Sequence, residues 1–320
     1  MNGLIAHIDP SICSLNLGDY IISESVSSVL GDVFPYMQKA KIPSQDIWWS
    51  GSYRVLKNSS LSFVGGTNLL TSNMPFYRQW KMSPVDIFFK NEIVLLGAGW
   101  WQYQEGVNFY SRFMYRNILS KKYFHSVRDE YTLNKLKSIG VDNVINTSCP
   151  TMWSLTQEFC ESIPRNKSKD VVVTLTDYRM DIQNDSKLLA CLSKWYKKVF
   201  IWPQGHLDYK YINGILGGLG VDNVEVIRAD LKCYDDLLEN NPSIDYVGTR
   251  LHAGVRALQK GIRSIIIEVD NRASEKAKSF DIVTVSRNDF DRLEVLINEG
   301  FCTKIRIPLS EINRWKEQFE

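Results

Sequence analysis

The stretch IDYVGTRLHAGVRALQKGIRSIIIEV, residues 244–269, places two β-branched runs on either side of a helical pattern punctuated by Gly248 and Gly261. IDYV (244–247) and SIIIEV (264–269) read as buried strands, and Arg250 to about Lys260 reads as the helix between them. A connection of that length returns the chain parallel to itself, so the unit is strand, crossover helix, strand.

The same order recurs outward from this stretch. VVVTL (171–175), VFIW (199–202) and VEVI (224–227) extend it in the second half. LIAHI (4–8), LSFV (61–64), EIVLL (92–96) and YFHSV (123–127) form a similar series in the first. These short continuous apolar runs suit strands covered on both faces. A helix is expected over Tyr20–Leu30 with Asp19 as its N-cap, and another from Asp129 to Ile139, closed by Gly140.

At 320 residues the chain exceeds what one core usually holds, so two lobes are expected. The polar stretch ESIPRNKSKD (161–170) is the best linker. The fold class is therefore α/β, with two Rossmann-like doubly wound lobes over 1–165 and 166–307 and a last helix over 308–320.

With 38 Lys and Arg against 36 Asp and Glu, the net charge of +2 lacks the field of a nucleic-acid binder. The six cysteines form no C-x-x-C pair and read as reduced thiols, and no metal site is signalled. No basic stretch leads an apolar core at the N-terminus, and no run of about 18 apolar residues occurs. A cytoplasmic protein is expected; contact with the inner face of the membrane and oligomerisation stay open.

In open α/β sheets ligands bind beyond the carboxyl ends of the strands, and the unusual residues stand there. They are Asn16, Gly18 and Asp19 in NLGD; Gly65, Gly66, Thr67 and Asn68 in GGTN; Gly97 and Gly99 in GAG; Arg128 and Asp129 in VRD; Gln204 in WPQG; and Gly248, Thr249, Arg250 and His252 in GTRLH. GAGWWQ is no dinucleotide fingerprint, because Gln102 stands where the third glycine is needed, and no P-loop occurs.

GTRLHAG is the strongest of these signals. The first turn of a helix leaves backbone N–H groups without partners, and an arginine fork beside them can grip a carboxylate or phosphate bidentately. The positive helix end disfavours a charged His252 in an empty site, and a bound anion favours it, which suits a general acid. His7 reads as core or interface and His125 as structural, while His206 reads as a loop residue that could reach the cleft. Trp100 or Trp101 could line a sugar site, although most of the nine tryptophans fill cores.

The order NLGD, GGTN, VRDEYT, WPQ, then GTRLHAG followed by ALQKGIRSIIIEVDNR resembles the polysaccharide pyruvyl transferase family, over about residues 15–285. The resemblance implies two Rossmann-like lobes of GT-B type facing across a cleft. It also implies transfer of a pyruvyl group from phosphoenolpyruvate to a pair of sugar hydroxyls, closing a ketal, with no cofactor beyond that co-substrate. The acceptor would be a sugar or lipid-linked oligosaccharide of a cell-surface polysaccharide. On this reading His252 supplies the acid and Arg250 holds the donor, with Arg128, Thr249, Gly248 and Gln204 also on the donor side. Asn16, Gly18, Asp19, Gly65, Gly66, Thr67, Gly99 and Trp100 would serve the acceptor or the cleft.

Two positions depart from the family pattern: Thr67 stands where a third glycine is common, and Arg272 where a lysine is common. A GT-B glycosyltransferase using a sugar nucleotide is the first alternative, with Glu268, Asp270 or Glu275 on the ribose. A non-catalytic sugar-binding relative is the second.

Overall fold

The structure, a computed structural model, describes residues 3–77, 79–269 and 280–320. The chain divides into two compact units. Unit 1 comprises Met1–Ser14, Ile22–Trp153 and Pro308–Glu320; unit 2 comprises Leu15–Ile21 and Ser154–Ile307.

The chain begins with β1 (Leu4–Asp9), α1 (Leu17–Val33), β2 (Gln38–Pro43), α2 (Ser50–Asn58), β3 (Leu61–Gly65) and α3 (Asp86–Phe89). It continues through β4 (Glu92–Leu96), α4 (Phe109–Ile118), β5 (His125–Val127), α5 (Glu130–Ser138) and β6 (Val144–Asn146). Four parallel strands in the order β2-β1-β3-β4 make the sheet of unit 1. The parallel pair β5-β6 adjoins it through the Ala98–Val127 bridge. Strand order reverses between β1 and β3, so the crevice at their carboxyl ends lies between Asp9 and Gly65. Ile8, Val64, Leu95, Met114 and Val127 belong to one apolar core.

Unit 2 carries α6 (Gln157–Glu161), β7 (Asp170–Thr174), α7 (Ile182–Trp195), β8 (Lys198–Ile201), α8 (Asp208–Leu216) and β9 (Val224–Val226). Then come α9 (Leu231–Asn240), β10 (Ile244–Gly248), α10 (Leu251–Gln259), β11 (Ser264–Glu268), β12 (Thr284–Ser286) and α11 (Phe290–Glu299). Its six strands are parallel in the order β12-β11-β10-β7-β8-β9. This is the strand order of a Rossmann sheet, reversing between β7 and β10. Gly254 lets α10 lie close on the sheet, because a Cβ there would stand 2.1 Å from Ile266 Cδ1.

Several expectations change in detail. The helix expected from Tyr20 begins at Leu17, so Asp19 sits inside its first turn and is not the N-cap. Asn16 caps it instead: its Oδ1 accepts from Gly18 N at 3.1 Å and its carbonyl from Asp19 N at 3.0 Å. NLGD was expected in the first lobe, but Leu15–Ile21 groups with unit 2, where Leu17 N donates to Gln204 O and His206 N to Leu15 O. The crossing between units falls at Ser154 rather than 166, since Phe301 N binds Arg165 O within unit 2. The last helix, α12 (Leu309–Glu317), belongs to unit 1, where Trp315 is fully buried edge-on against Phe63 and Trp153. The strand β2 escaped notice because QKAKIP is a lysine-bearing edge strand without apolar alternation.

Candidate functional site

The GTRLH segment lies at the strand-order reversal of unit 2. Tyr246 OH donates to Arg250 O at 2.7 Å and lies 2.6 Å from Thr174 Oγ1, which accepts from Arg250 N at 3.2 Å. Thr249 N and Oγ1 both bind Thr174 O, at 2.9 and 3.2 Å. The backbone of residues 248–250 is thereby sewn to the end of β7, and the Thr249 hydroxyl is spent on that seam. Gly248 permits the approach, since a Cβ there would meet Thr174 Oγ1 at 2.4 Å.

Arg250 is the N-cap residue of α10 and is 6% exposed. The expected open fork is occupied: Nε donates to Asp208 Oδ2 at 3.2 Å, and Nη2 donates to Asp208 Oδ1 and, at 2.9 Å, to Asp177 Oδ1. The Tyr178 ring lies under the guanidinium at 5.0 Å. Asp208 is fully buried; its oxygens also accept from Gln204 N, Gly205 N and Asp177 N. Burial raises its carboxyl above the ordinary value, against the pull of Arg250 and the Gly205 amide. Gly205 admits this network, because a Cβ there would lie 2.4 Å from Arg250 Nη2.

His252 stands half-buried in the first turn of α10, two residues after Arg250. Gln204 Nε2 donates to Asn16 Oδ1 at 2.8 Å, and Gly18 packs against that amide. Gln204 Oε1 is buried without a hydrogen-bond partner among the described residues. Asn16, Gly18 and Asp19 therefore accompany the GTRLH site within unit 2.

In unit 1 the GGTN, GAG and VRD segments meet. Gly99 N donates to Thr67 O at 2.8 Å, Leu70 N to Gly99 O at 3.0 Å and Arg128 N to Ala98 O at 3.2 Å. The Arg128 guanidinium, almost wholly buried, lies across Gly99 and donates to Asn68 Oδ1 and to Asp129 Oδ2. Asp129 caps α5 through Thr132 N. Gly66 packs on the Gly97 carbonyl, and Gly65 on His7 Nε2.

Trp100, expected at a sugar-facing rim, is a core residue: it is 3% exposed and its indole N–H donates to Gln104 Oε1 at 3.0 Å. Trp101 is the more exposed neighbour and stacks on Tyr77 with ring centroids 3.6 Å apart. His125 is structural, accepting from Leu95 N and binding Ser120 O. His206 is exposed. Asp270, Arg272 and Glu275 lie outside the described residues.

Sequence reasoning passed over Asp177 and Asp208, although an acid four residues after Gln204, at the end of a neighbouring strand, is within reach of Arg250. It also passed over the polar cluster at the reversal point of unit 1. There Asp9 is fully buried and takes hydrogen bonds from Ser11 N, Ser23 Oγ and Lys41 Nζ, while His7 is buried with neither ring nitrogen hydrogen-bonded among the described residues. Burial lowers His7 to about 4. No cluster of His, Cys, Asp or Glu among the described residues could hold a metal ion. No helix among them is long and apolar enough to cross a membrane.

Solved structures share the fold. UDP-GlcNAc 2-epimerase from Methanocaldococcus jannaschii matches with TM-score 0.55 and 13% identity, over 95% of this chain and 94% of that one. The S. aureus MnaA–UDP structure matches with TM-score 0.50 and 11% identity, over 100% of this chain and 91% of that one. The chain thus shares the GT-B type of α/β fold. No curated protein sequence matches significantly. The family model described as polysaccharide pyruvyl transferase matches residues 16–271, from the Asn16 cap through the Arg250 site to the end of β11, and the chain belongs to that family.

Proposed function

We propose that the protein transfers a pyruvyl group from phosphoenolpyruvate to two hydroxyls of one sugar in a cell-surface polysaccharide or its precursor, forming a ketal and releasing phosphate. The observation that carries this reading is Arg250 and His252 at the N-terminus of α10, set at the strand-order reversal of unit 2 in a chain of this family. A trianionic donor needs a fixed guanidinium and a positive field beside it, and the dipole of a helix N-terminus supplies the second.

Asp208 holds Arg250 in place, and Asp177, on a surface turn, is the carboxylate that an incoming donor carboxylate or phosphate replaces on Nη2. His252 gives a proton to the methylene carbon of phosphoenolpyruvate, leaving positive charge at C2. One sugar hydroxyl attacks C2 and gives up a proton, balancing the one His252 supplied; the second then attacks C2 as the bond to phosphate breaks, its proton leaving with the phosphate and the ketal closing. Gln204, with its unpartnered carbonyl oxygen, is the nearby acceptor for a sugar hydroxyl. No metal or further cofactor enters this scheme. Gly65, Gly66, Thr67 and Gly99 are proposed to shape the sugar-binding loops of unit 1, and Arg128 to add a cation for the donor.

The test is phosphate release from phosphoenolpyruvate by the purified protein with a panel of glycan acceptors, read together with the mass gain of the glycan. Thermal stabilisation by UDP-sugars and not by phosphoenolpyruvate would reject the assignment in favour of a sugar-nucleotide enzyme.

A further inference from the structure

The surface of unit 1 formed by α2, α3 and α4 has a composition that water-facing helices avoid. On α4 the residues pointing outward are Phe109, Arg112, Phe113 and Arg116, one stripe at i, i+3, i+4 and i+7, while Ser111, Met114, Tyr115 and Ile118 face the core. Phe109 is 83% exposed. The short helix α3 packs on both α2 and α4 and exposes Phe88 (84%) and Phe89. Trp49, 71% exposed, enters α2, whose outer face bears Arg54 and Lys57.

None of the three helices exposes an acid. The one carboxylate among them, Asp86, is buried and takes hydrogen bonds from Ser83 N and Tyr53 OH. Large aromatics interleaved with cations, with no negative charge between them, match the interface of an anionic bilayer, where rings sit at the headgroup level and cations meet lipid phosphate. A second copy of this chain fits badly, because a two-fold contact would press this face against itself and bring the four cations together.

We propose that this face docks unit 1 on an anionic membrane surface. The buried side of α4 ties it to the segment after GGTN: Tyr115 OH accepts from Thr71 N and Ser111 Oγ from Met74 N, both at 2.8 Å. Resting on the function proposed above, the docked face holds the sugar-side loops at the bilayer.

The test is sedimentation of the full chain with vesicles of phosphatidylcholine, with and without phosphatidylglycerol. Binding is expected only with phosphatidylglycerol and weakens with salt. The pairs Phe109→Ser with Phe113→Ser, and Arg112→Gln with Arg116→Gln, should each lower it about tenfold or more. Both pairs should keep the melting temperature and the rate of phosphate release with a soluble acceptor. Absence of wild-type binding, equal binding by the variants, or a dimer that Phe109→Ser with Phe113→Ser converts to monomer would each overturn the proposal. Vesicle binding without any pyruvyl transfer would count against the proposed function and leave the docking surface standing.

Discussion

Asp208 grips the edge of the Arg250 guanidinium, its two carboxylate oxygens meeting Nε and Nη2 while three backbone amides hold it in place. Removing one member of such a pair leaves the other buried and uncompensated. Arg250→Ala is expected to destabilise unit 2 by about 3–5 kcal/mol in denaturant unfolding. In whatever fraction stays folded, calorimetry should find weakened phosphoenolpyruvate binding; unchanged affinity would remove Arg250 from the donor site.

Asp177 acts in the opposite direction. It shares Nη2 of Arg250 from a partly exposed position, so it competes with any anion brought to that nitrogen. Asp177→Asn should tighten phosphoenolpyruvate binding several-fold, by about 1 kcal/mol. Weaker binding would mean that Asp177 positions the donor rather than yielding to it.

His252→Gln is expected to retain donor binding and lose at least about 100-fold in kcat, the usual contribution of a positioned acid. Turnover within a few-fold of wild type would assign the proton to another group.

Unit 1 is expected to be acid-labile. His7 and His125 are both lowered from 6.5 to about 4, mainly by burial. Below pH 6.5 the unfolded chain takes up protons that the folded state refuses, so stability falls as pH drops from 6.5 to 4, by up to about 3 kcal/mol per histidine. Asp9, lowered by its histidine and hydrogen-bond partners against burial, adds a loss in the same direction at lower pH. Urea unfolding followed against pH should show this slope, and His7→Leu should flatten it.

The two adjacent tryptophans should separate core from rim. Trp100→Ala is expected to cost about 3–5 kcal/mol, and Trp101→Ala about 1 kcal/mol, the worth of its stacking on Tyr77. A rise in KM for the glycan acceptor in Trp101→Ala alone would place Trp101 at the sugar.

What was legible in the sequence was what depends on local pattern. IDYV and SIIIEV are buried on both faces and read as strands without context, and Gly140 and Gly261, with φ of +81° and +73°, end their helices as expected. The Arg250–His252 pair was legible for the same reason, since a strand end followed by a small-residue helix is a local signal. Partners distant along the chain were not. Nothing adjacent to Arg250 announces Asp177, 73 residues away. Nothing in NLGD announces that Asn16 will meet Gln204, 188 residues away. The two tryptophans of GAGWWQ look alike in sequence, and only packing assigns one to the core and the other to the surface.

The C-terminal helix has a consequence for synthesis. Trp315 closes the aromatic cluster of unit 1, yet it follows the whole of residues 154–307 along the chain. Unit 1 therefore waits with Phe63 and Trp153 uncovered while the whole of unit 2 is translated. During that interval the nascent chain exposes an apolar hole that a chaperone would recognise, and the unit translated first is the one completed last.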